Sequence, residues 1–143
     1  MEVEIRQAAL CIIRNKDCFL VAEIRDPKTG VILHRPPGGG VEEGENPEQA
    51  VRREIREELG VNLASIQPLG MVDHIWFWKE REVRERAWLF LANSSDDPRL
   101  SGGETPELIE ANGERARTLW RSTKGTSEDL PPLCPSGILD LLK

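Results

Sequence analysis

The 143-residue sequence has few cysteines, and those it has form no recognisable pairs. Cys11, Cys18 and Cys134 are odd in number, and none of them belongs to a CxxC pair or to a Cys/His spacing typical of zinc sites. We therefore expect neither a disulfide framework nor a cysteine-based metal site. All three are expected to be small buried or half-buried side chains in a reducing, cytoplasmic setting.

Long apolar runs are also absent. No stretch approaches the ~20 consecutive apolar residues that a membrane-spanning helix needs. The charged residues Glu2, Glu4 and Arg6 follow Met1, where a secretory signal would have its basic and then apolar regions. The sequence therefore predicts no membrane segment and a cytoplasmic location.

Positive charge is scarce relative to negative charge. The chain has 19 Lys and Arg against 25 Asp and Glu, and its formal net charge is -6. This balance argues against a general nucleic-acid binder, which needs a basic stripe. It does not exclude a phosphate-containing ligand if a metal ion supplies the positive charge.

Apolar segments nevertheless recur along the chain, and its length suits a single domain, residues 1–143, with one core. The predicted strands cover residues 3–14, 18–25, 31–34, 69–78, 84–92 and 115–121. A helix is predicted at 47–59, a short helical turn at 106–111 and a short helix at 136–142, with loops at 36–40 and 93–103. Strands on both sides of a central helix indicate a mixed α/β (α+β) domain.

The central helix has clear boundary signals. Asn46 is a good N-cap, Pro47 suits the first helical position, and Gln49 completes a capping box. Gly60 is placed to end the helix in the left-handed conformation.

This helix carries three glutamates beside its apolar arc. On a helical wheel the two neighbouring arcs hold Val51, Ile55 and Leu59, and Glu54, Glu57 and Glu58. Like charges at i, i+4 cost stability, and the last turn of a helix favours cations. A hard divalent cation would resolve this conflict, because Mg²⁺ and Mn²⁺ prefer carboxylate oxygens. The alternative is a solvated acidic face paired with Arg52, Arg53 and Arg56.

The residues around the helix resemble the signature of the Nudix hydrolase family. That signature is a glycine, five residues, a glutamate, seven residues, then Arg-Glu-aliphatic-x-Glu-Glu-x-Gly-aliphatic. Here it is filled by Gly39, Glu45 and the segment 53–61, REIREELGV. The resemblance implies an α/β/α sandwich on a mixed sheet. It also implies metal-dependent hydrolysis of a nucleoside diphosphate linked to another group.

The resemblance also implies roles for individual residues. Glu54, Glu57 and Glu58 are expected to bind Mg²⁺ or Mn²⁺, and Glu54 to orient or deprotonate the attacking water. Arg53 is expected to orient the glutamates by ion pairing, and Gly39 to allow a tight turn. Glu45 supports the segment or binds metal indirectly.

Family members often add a carboxylate from a later loop. The candidates are Glu104, Glu107, Glu110 and Glu114. We favour Glu114 as a metal ligand, with Glu110 second, because Glu114 lies next to Gly113 and six residues before Trp120. The alternative is a solvated loop glutamate.

Six further residues are candidates for substrate binding: Arg25, Arg35, Gly39, Gly40, Trp76 and Trp78. The arginines could meet phosphate near the glycine loop, and the tryptophans could stack on a base. The alternatives are solvated surface charge for the arginines and core packing for the tryptophans. His34, just before the loop, is a weaker pocket candidate.

The substrate itself is not marked in the sequence. Phe77 stands where ADP-ribose hydrolases of the family often have proline, and the chain has no tyrosine, which dinucleotide hydrolases often carry. A small nucleotide-like partner is expected, without stable nucleic-acid binding. The oligomeric state stays open, with a homodimer among the options. The main alternative function is a Nudix-fold module that senses a nucleotide without cleaving it.

Overall fold

The computed structural model describes residues 4–100, 105–124 and 129–142. Within these ranges, no helix has the length and apolar character to cross a membrane. The strands are β1 Arg6–Asn15, β2 Cys18–Arg25, β3 Ile32–Arg35, β4 Gly38–Gly40, β5 Gln67–Trp78, β6 Arg81–Asn93, β7 Leu108–Ile109, β8 Arg115–Ala116 and β9 Thr118–Ser122. The α-helices are α1 Pro47–Leu59 and α2 Ile138–Leu141, and 3₁₀ turns occupy Ser94–Asp96 and Pro98–Leu100.

A mixed β-sheet lies at the centre of the part of the chain that the structure describes. Its strands run in the order β3-β2-β1-β6-β5, with β4 added to β1 and β9 added to β2. Strands β1 and β6 pair in parallel over nine residue pairs, and the other pairs are antiparallel. Since β4 pairs with β1 and directly precedes α1, the glycine segment is fixed to the middle of the sheet.

The core has two layers, one on each face of this sheet. Alternate residues of β1 enter opposite layers, as the two-residue period of a strand requires. Ala9, Cys11 and Ile13 pack in the cluster that includes the buried face of α1, whereas Leu10 and Ile12 pack in the cluster that includes Ile138 of α2. The α/β/α sandwich predicted from the resemblance is therefore confirmed.

Helix α1 has the predicted bounds. The Asn46 side chain accepts a hydrogen bond from the Gln49 amide at 2.8 Å, and the Gln49 side chain accepts one from the Asn46 amide at 2.9 Å. Gly60 ends the helix with φ 68°. The apolar arc is buried as expected, with Ala50 beside it.

Residues 106–111 were predicted as a helical turn, and that prediction is wrong. Leu108–Ile109 is instead strand β7, paired with β8. The hairpin turn contains Asn112 and Gly113, whose φ is 86°, and the Asn112 side chain accepts a hydrogen bond from the Glu114 amide. The Asn-Gly pair is a common turn sequence of hairpins and was the local signal for this turn.

Two smaller predictions also need correction. Gly38–Gly40, predicted as loop, is strand β4, because its backbone pairs with Ala8–Leu10 of β1. The single strand predicted at 115–121 is divided at Arg117 into β8 and β9, which belong to different sheets. The predicted burial of the cysteines is confirmed, since Cys11 and Cys134 are buried and Cys18 is half-buried.

Candidate active site

Arg53 links the carboxylates of the glycine segment and of α1. Its Nε lies 2.7 Å from Glu45 Oε2, and its Nη2 donates to Glu45 Oε1 and to the Gly40 carbonyl, both at 3.0 Å. Its Nη1 donates to Glu54 at 2.9 Å and to Glu57 at 3.1 Å. Hydrogen bonds from Arg53 lower the pKa of Glu45, and the bond to Glu45 raises the pKa of Arg53 further. One guanidinium therefore holds three carboxylates of the predicted site.

Glu58 lies on the other side of this arrangement. Its Oε1 accepts a hydrogen bond from the Gly38 amide at 2.7 Å. Burial raises the pKa of Glu58 to about 8, and the negative charges of Glu54 and Glu110 act in the same direction. Burial also raises the pKa of Glu54, against the effect of Arg53.

The two glycines before α1 are required by close contacts. A Cβ at Gly39 would lie 2.6 Å from Glu54 Cδ, so a side chain there would displace the carboxylate. Gly38 has φ 140°, and a Cβ there would overlap the Ala9 carbonyl. The backbone of β4 thus fits between β1 and the glutamates of α1.

The structure separates the candidates for a fourth carboxylate. Glu110 lines a cavity of about 150 Å³ with Glu58, Arg35 and Trp76. Burial and the charge of Glu114 raise the pKa of Glu110. Glu114 itself is exposed on the β7–β8 turn. Exposed Glu107 pairs with Arg115, and Glu104 lies outside the described residues.

The carboxylates suit a hard cation, although their side chains are not gathered around one point. In the described ranges, no three His, Cys, Asp or Glu side chains form a cluster that could hold a metal ion. Glu54 and Glu57 are turned to Arg53, and Glu58 to Gly38. The donor set is oxygen only, as Mg²⁺ requires, and Glu58 has a raised pKa that a neighbouring cation would relieve. Which carboxylates bind the cation stays a prediction.

A second charged network lies beside this cavity, and the sequence reasoning missed its centre. The side chain of Glu85 on β6 is fully buried, and Arg35 Nη2 donates to its two oxygens at 2.8 and 3.0 Å. His74 Nε2 lies 2.9 Å from Glu85 Oε1, and Arg6 Nη1 lies 3.5 Å from Oε2. Burial raises the pKa of Glu85, but the His74 hydrogen bond and Arg35 outweigh it and lower that pKa to about 2.

The position of Glu85 along β6 was the sequence feature that could have identified it. It shares the inward face of β6 with Ala87 and Leu89, which are buried, so a charge there was out of place. A buried charge needs a partner, and strand alternation alone could not show that Arg35 supplies it from β3.

The remaining candidates lie in different surroundings. Arg25 is exposed at the end of β2. Buried His34 is hydrogen-bonded through Nδ1 to Arg121. Trp78 lines a surface groove with Lys28, Lys79, Arg81, Glu82 and Val83. Gly40 supplies its carbonyl to Arg53.

Trp76 forms a wall between two cavities. It lines the 150 Å³ cavity that contains Glu58, and it also lines an apolar cleft of about 480 Å³. The cleft is further lined by Asp26, Thr29, Val31, Leu33, His74, Ile75, Phe77, Glu80, Pro132, Leu133, Cys134 and Ser136. Among the predicted substrate residues, only Arg35 and Trp76 line the cavity that contains a glutamate of α1.

Fold and site together define an α/β/α sandwich with an arginine-tethered set of glutamates on a loop–helix–loop. The NUDIX domain profile matches residues 4–125. The chain therefore belongs to the Nudix family.

Two curated relatives match part of the chain. An RNA pyrophosphohydrolase of Photobacterium profundum is 33 % identical over 99 residues, 59 % of this chain and 55 % of that protein. The nucleoside triphosphatase NudI of Salmonella arizonae is 48 % identical over 68 residues, 45 % of this chain and 48 % of that protein. The matched region thus spans about half the length of these relatives.

Solved structures resemble the whole chain. A MutT NUDIX hydrolase from Burkholderia pseudomallei has a TM-score of 0.69 and 26 % identity, covering 99 % of this chain and 100 % of that chain. The MutT protein from Methanosarcina mazei Go1 has a TM-score of 0.67 at 21 % identity, covering 99 % and 92 %. The second likeness shows the fold alone.

Proposed function

We propose that this chain is a Nudix pyrophosphohydrolase that cleaves a phosphoric anhydride bond in a nucleotide-like substrate with the help of Mg²⁺ or Mn²⁺. The observation that carries this proposal is the set of contacts that Arg53 and Gly38 make to the glutamates of α1. The partial matches to a pyrophosphohydrolase and a nucleoside triphosphatase support the same class of reaction.

The glutamates have separable roles in this proposal. Glu54, Glu57 and Glu58 would hold the cation, which would offset phosphate charge and make a water molecule more acidic. Glu54 orients the attacking water and accepts its proton, a role that its half-buried position beside Gly39 supports. Arg53 keeps Glu54 and Glu57 in place through a fork of directed hydrogen bonds.

The base and the phosphates of the substrate are proposed to lie on opposite sides of Trp76. The apolar cleft of about 480 Å³ has the size of a small-molecule site. Arg6 is half-exposed, and its guanidinium lies 3.7 Å from the position of a Cβ on Gly40, so it can reach phosphate oxygens near β4.

The three free cysteines support a reducing, cytoplasmic setting.

The test is a phosphate-release screen over nucleoside triphosphates, nucleotide sugars, dinucleotides and ADP-ribose, with Mg²⁺ or Mn²⁺. On the best substrate, Glu58→Gln should lose at least about tenfold in kcat, or roughly 1.4 kcal/mol of barrier. Glu48→Gln is the control, because Glu48 is exposed in the first turn of the same helix. Normal turnover by Glu58→Gln would remove the site assignment. Nucleotide binding without turnover by the wild type would favour the sensing module instead.

For the fourth carboxylate we now propose Glu110, since it shares a cavity with Glu58 whereas Glu114 is exposed. Glu110→Gln should raise the Mn²⁺ concentration needed for half-maximal turnover by at least about tenfold. Glu114→Gln is the matched control from the same hairpin and should behave as the wild type. The reverse result would return the role to Glu114.

A further inference from the structure

We propose that Glu85 is a positioning residue that fixes the ring of Trp76 as a stacking wall for the base of the substrate. This inference rests on the proposed function, because it assigns a recognition role beside the same site. It concerns a buried carboxylate that lies outside the signature segment and has no part in the anhydride chemistry described above.

The carboxylate of Glu85 holds two side chains in place. Arg35 Nη2 and His74 Nε2 both lie 2.8–2.9 Å from Oε1 of Glu85. The side chain of Glu85 is fully buried, while those of Arg35 and His74 are 11 % and 9 % exposed. None of the three side chains can move far without leaving a buried charge or polar group without its partner, which costs several kcal/mol.

Both of these side chains contact the ring of Trp76. The guanidinium carbon of Arg35 lies 5.0 Å from the ring centroid of Trp76, within the range of a cation–π contact. The His74 ring is stacked on the Trp76 ring at 6.5 Å with an interplanar angle of 20°. Glu85 therefore determines the positions of two groups that contact Trp76.

The guanidinium of Arg35 is engaged inside the protein. Its Nη2 donates to Glu85, and its Nη1 is 3.4 Å from Cys134 Sγ and 3.5 Å from the Cys134 carbonyl. Because both Nη groups already contact acceptors inside the protein, Arg35 is poorly placed to donate a pair of hydrogen bonds to a phosphate group. The same guanidinium also lies over the ring of Trp76.

The ring of Trp76 lies between two cavities. Trp76 separates the apolar cleft from the cavity that contains Glu58 and Glu110. A nucleotide whose phosphates reach Glu58 can place its base in the cleft, against Trp76 and the apolar side chains of Leu33 and Ile75. Stacking of a base on an aromatic side chain contributes about 1–3 kcal/mol, and a ring held in place loses less of this to ordering.

The experiment compares ligands with and without a nucleoside at equilibrium. The probes are the α,β-methylene analogues of ADP, GDP, CDP and UDP, and methylenediphosphonate, each with Mg²⁺, titrated by calorimetry. The wild type should bind at least one nucleotide analogue at least about tenfold more tightly than methylenediphosphonate. Glu85→Gln and Trp76→Leu should each lose that preference, with methylenediphosphonate affinity changed less than about twofold, and the double variant should be no worse than Trp76→Leu.

Two further variants keep the test decisive. Asp73→Asn removes the exposed partner of Arg86 on the outer face of the same hairpin and should leave both affinities unchanged. If Glu85→Gln does not fold, Arg35→Lys keeps a charge beside Glu85 but lacks the planar group, and it should lose the preference for a base. Equal weakening of both ligand types would indicate a merely structural role and overturn the proposal, as would a wild type that binds no nucleotide analogue more tightly than methylenediphosphonate.

The outcome is separable from that of the proposed function, since these probes bind without being cleaved. A chain that prefers the base-bearing probes but hydrolyses no substrate would refute the hydrolase and support the stacking wall. An active hydrolase that binds both probe types equally would support the hydrolase and refute the stacking wall.

Discussion

Arg53 is the residue on which the geometry of the glutamates depends most directly. It donates to Glu45, Glu54 and Glu57. The neighbouring Arg52 donates instead to the Leu63 carbonyl at 2.8 Å. A guanidinium can make several directed bonds at once, whereas a lysine ammonium is a compact charge on a flexible stem. The planar shape of the side chain at position 53 is therefore expected to matter more for the position of the glutamates than its charge does.

This yields a prediction for Arg53→Lys. Turnover with Mg²⁺ should fall by at least about tenfold, or roughly 1.4 kcal/mol of barrier, because one ammonium cannot hold Glu45, Glu54 and Glu57 together. The measurement is kcat on the best substrate at saturating metal. Arg56→Lys, an exposed position on the same helix, is the control. A lysine variant with normal kcat would show that charge alone orients the carboxylates.

Single residues also show how far the sequence could predict the site. Arg53 and the glutamates Glu54, Glu57 and Glu58 of the signature lie close together in sequence, so their spacing on one helix is enough to bring them together. Arg35 directly precedes the glycine segment, which predicts its place beside the site, but its partner Glu85 lies 50 residues further along the chain. No local pattern connects two strands at that separation, so the network around Trp76 could be found only from the fold.

At the level of elements, the contact between β4 and α1 defines the site. A Cβ at Gly39 would lie 2.6 Å from Glu54 Cδ, and Gly38 donates its amide to Glu58. β4 pairs with β1 at the centre of the sheet, while α1 packs through its apolar arc on the same core. The separation between the glycine backbone and the glutamates is therefore determined by the packing of the two elements.

This contact predicts that Gly39→Ala will impair catalysis more than stability. The added methyl group would lie 2.6–2.8 Å from the Glu54 carboxylate, which must move away from its place beside Arg53. We expect at least about a tenfold loss of kcat, measured together with the thermal midpoint. Gly40→Ala is the matched control, because its nearest neighbour would be Arg6 at an ordinary 3.7 Å. Equal loss of activity in both variants would contradict the role of this contact.

Elements also explain which parts of the fold were predicted correctly. Helix α1 has its capping residues and its apolar arc in one continuous stretch, and both its bounds were predicted from these signals. Strand β4 has three glycines and no side-chain pattern, so only its pairing with β1 makes it a strand. The β7–β8 hairpin has strands of two residues each, too short to show alternation.

For the molecule as a whole, two carboxylates with opposite pKa shifts influence how stability depends on pH. The pKa of Glu85 is lowered from 4.5 to about 2, so the folded state binds its proton less tightly than the unfolded state does. The pKa of Glu58 is raised from 4.5 to about 8, so the folded state binds its proton more tightly. Glu85 therefore stabilises the fold above about pH 4.5, and Glu58 opposes folding increasingly as the pH rises from about 4.5 to about 8.

The resulting prediction concerns the metal-free protein. In its free energy of unfolding, measured by urea titration from acid to alkaline pH, the Glu85 contribution should rise up to about pH 4.5 and the Glu58 contribution should fall from there to about pH 8. Loss of the Glu85 contribution should account for roughly 3 kcal/mol between about pH 4.5 and pH 2, at about 1.4 kcal/mol per pKa unit. Near neutral pH, Glu85→Gln should be less stable than the wild type, and the acid limb of its curve of unfolding free energy against pH should be flatter. Glu58→Gln should flatten only the alkaline limb of that curve. Other carboxylates with lowered pKa, such as Asp73, add to the acid limb of every variant and leave the difference between wild type and Glu85→Gln unchanged. Parallel acid limbs for these two proteins would show that Glu85 does not titrate with folding.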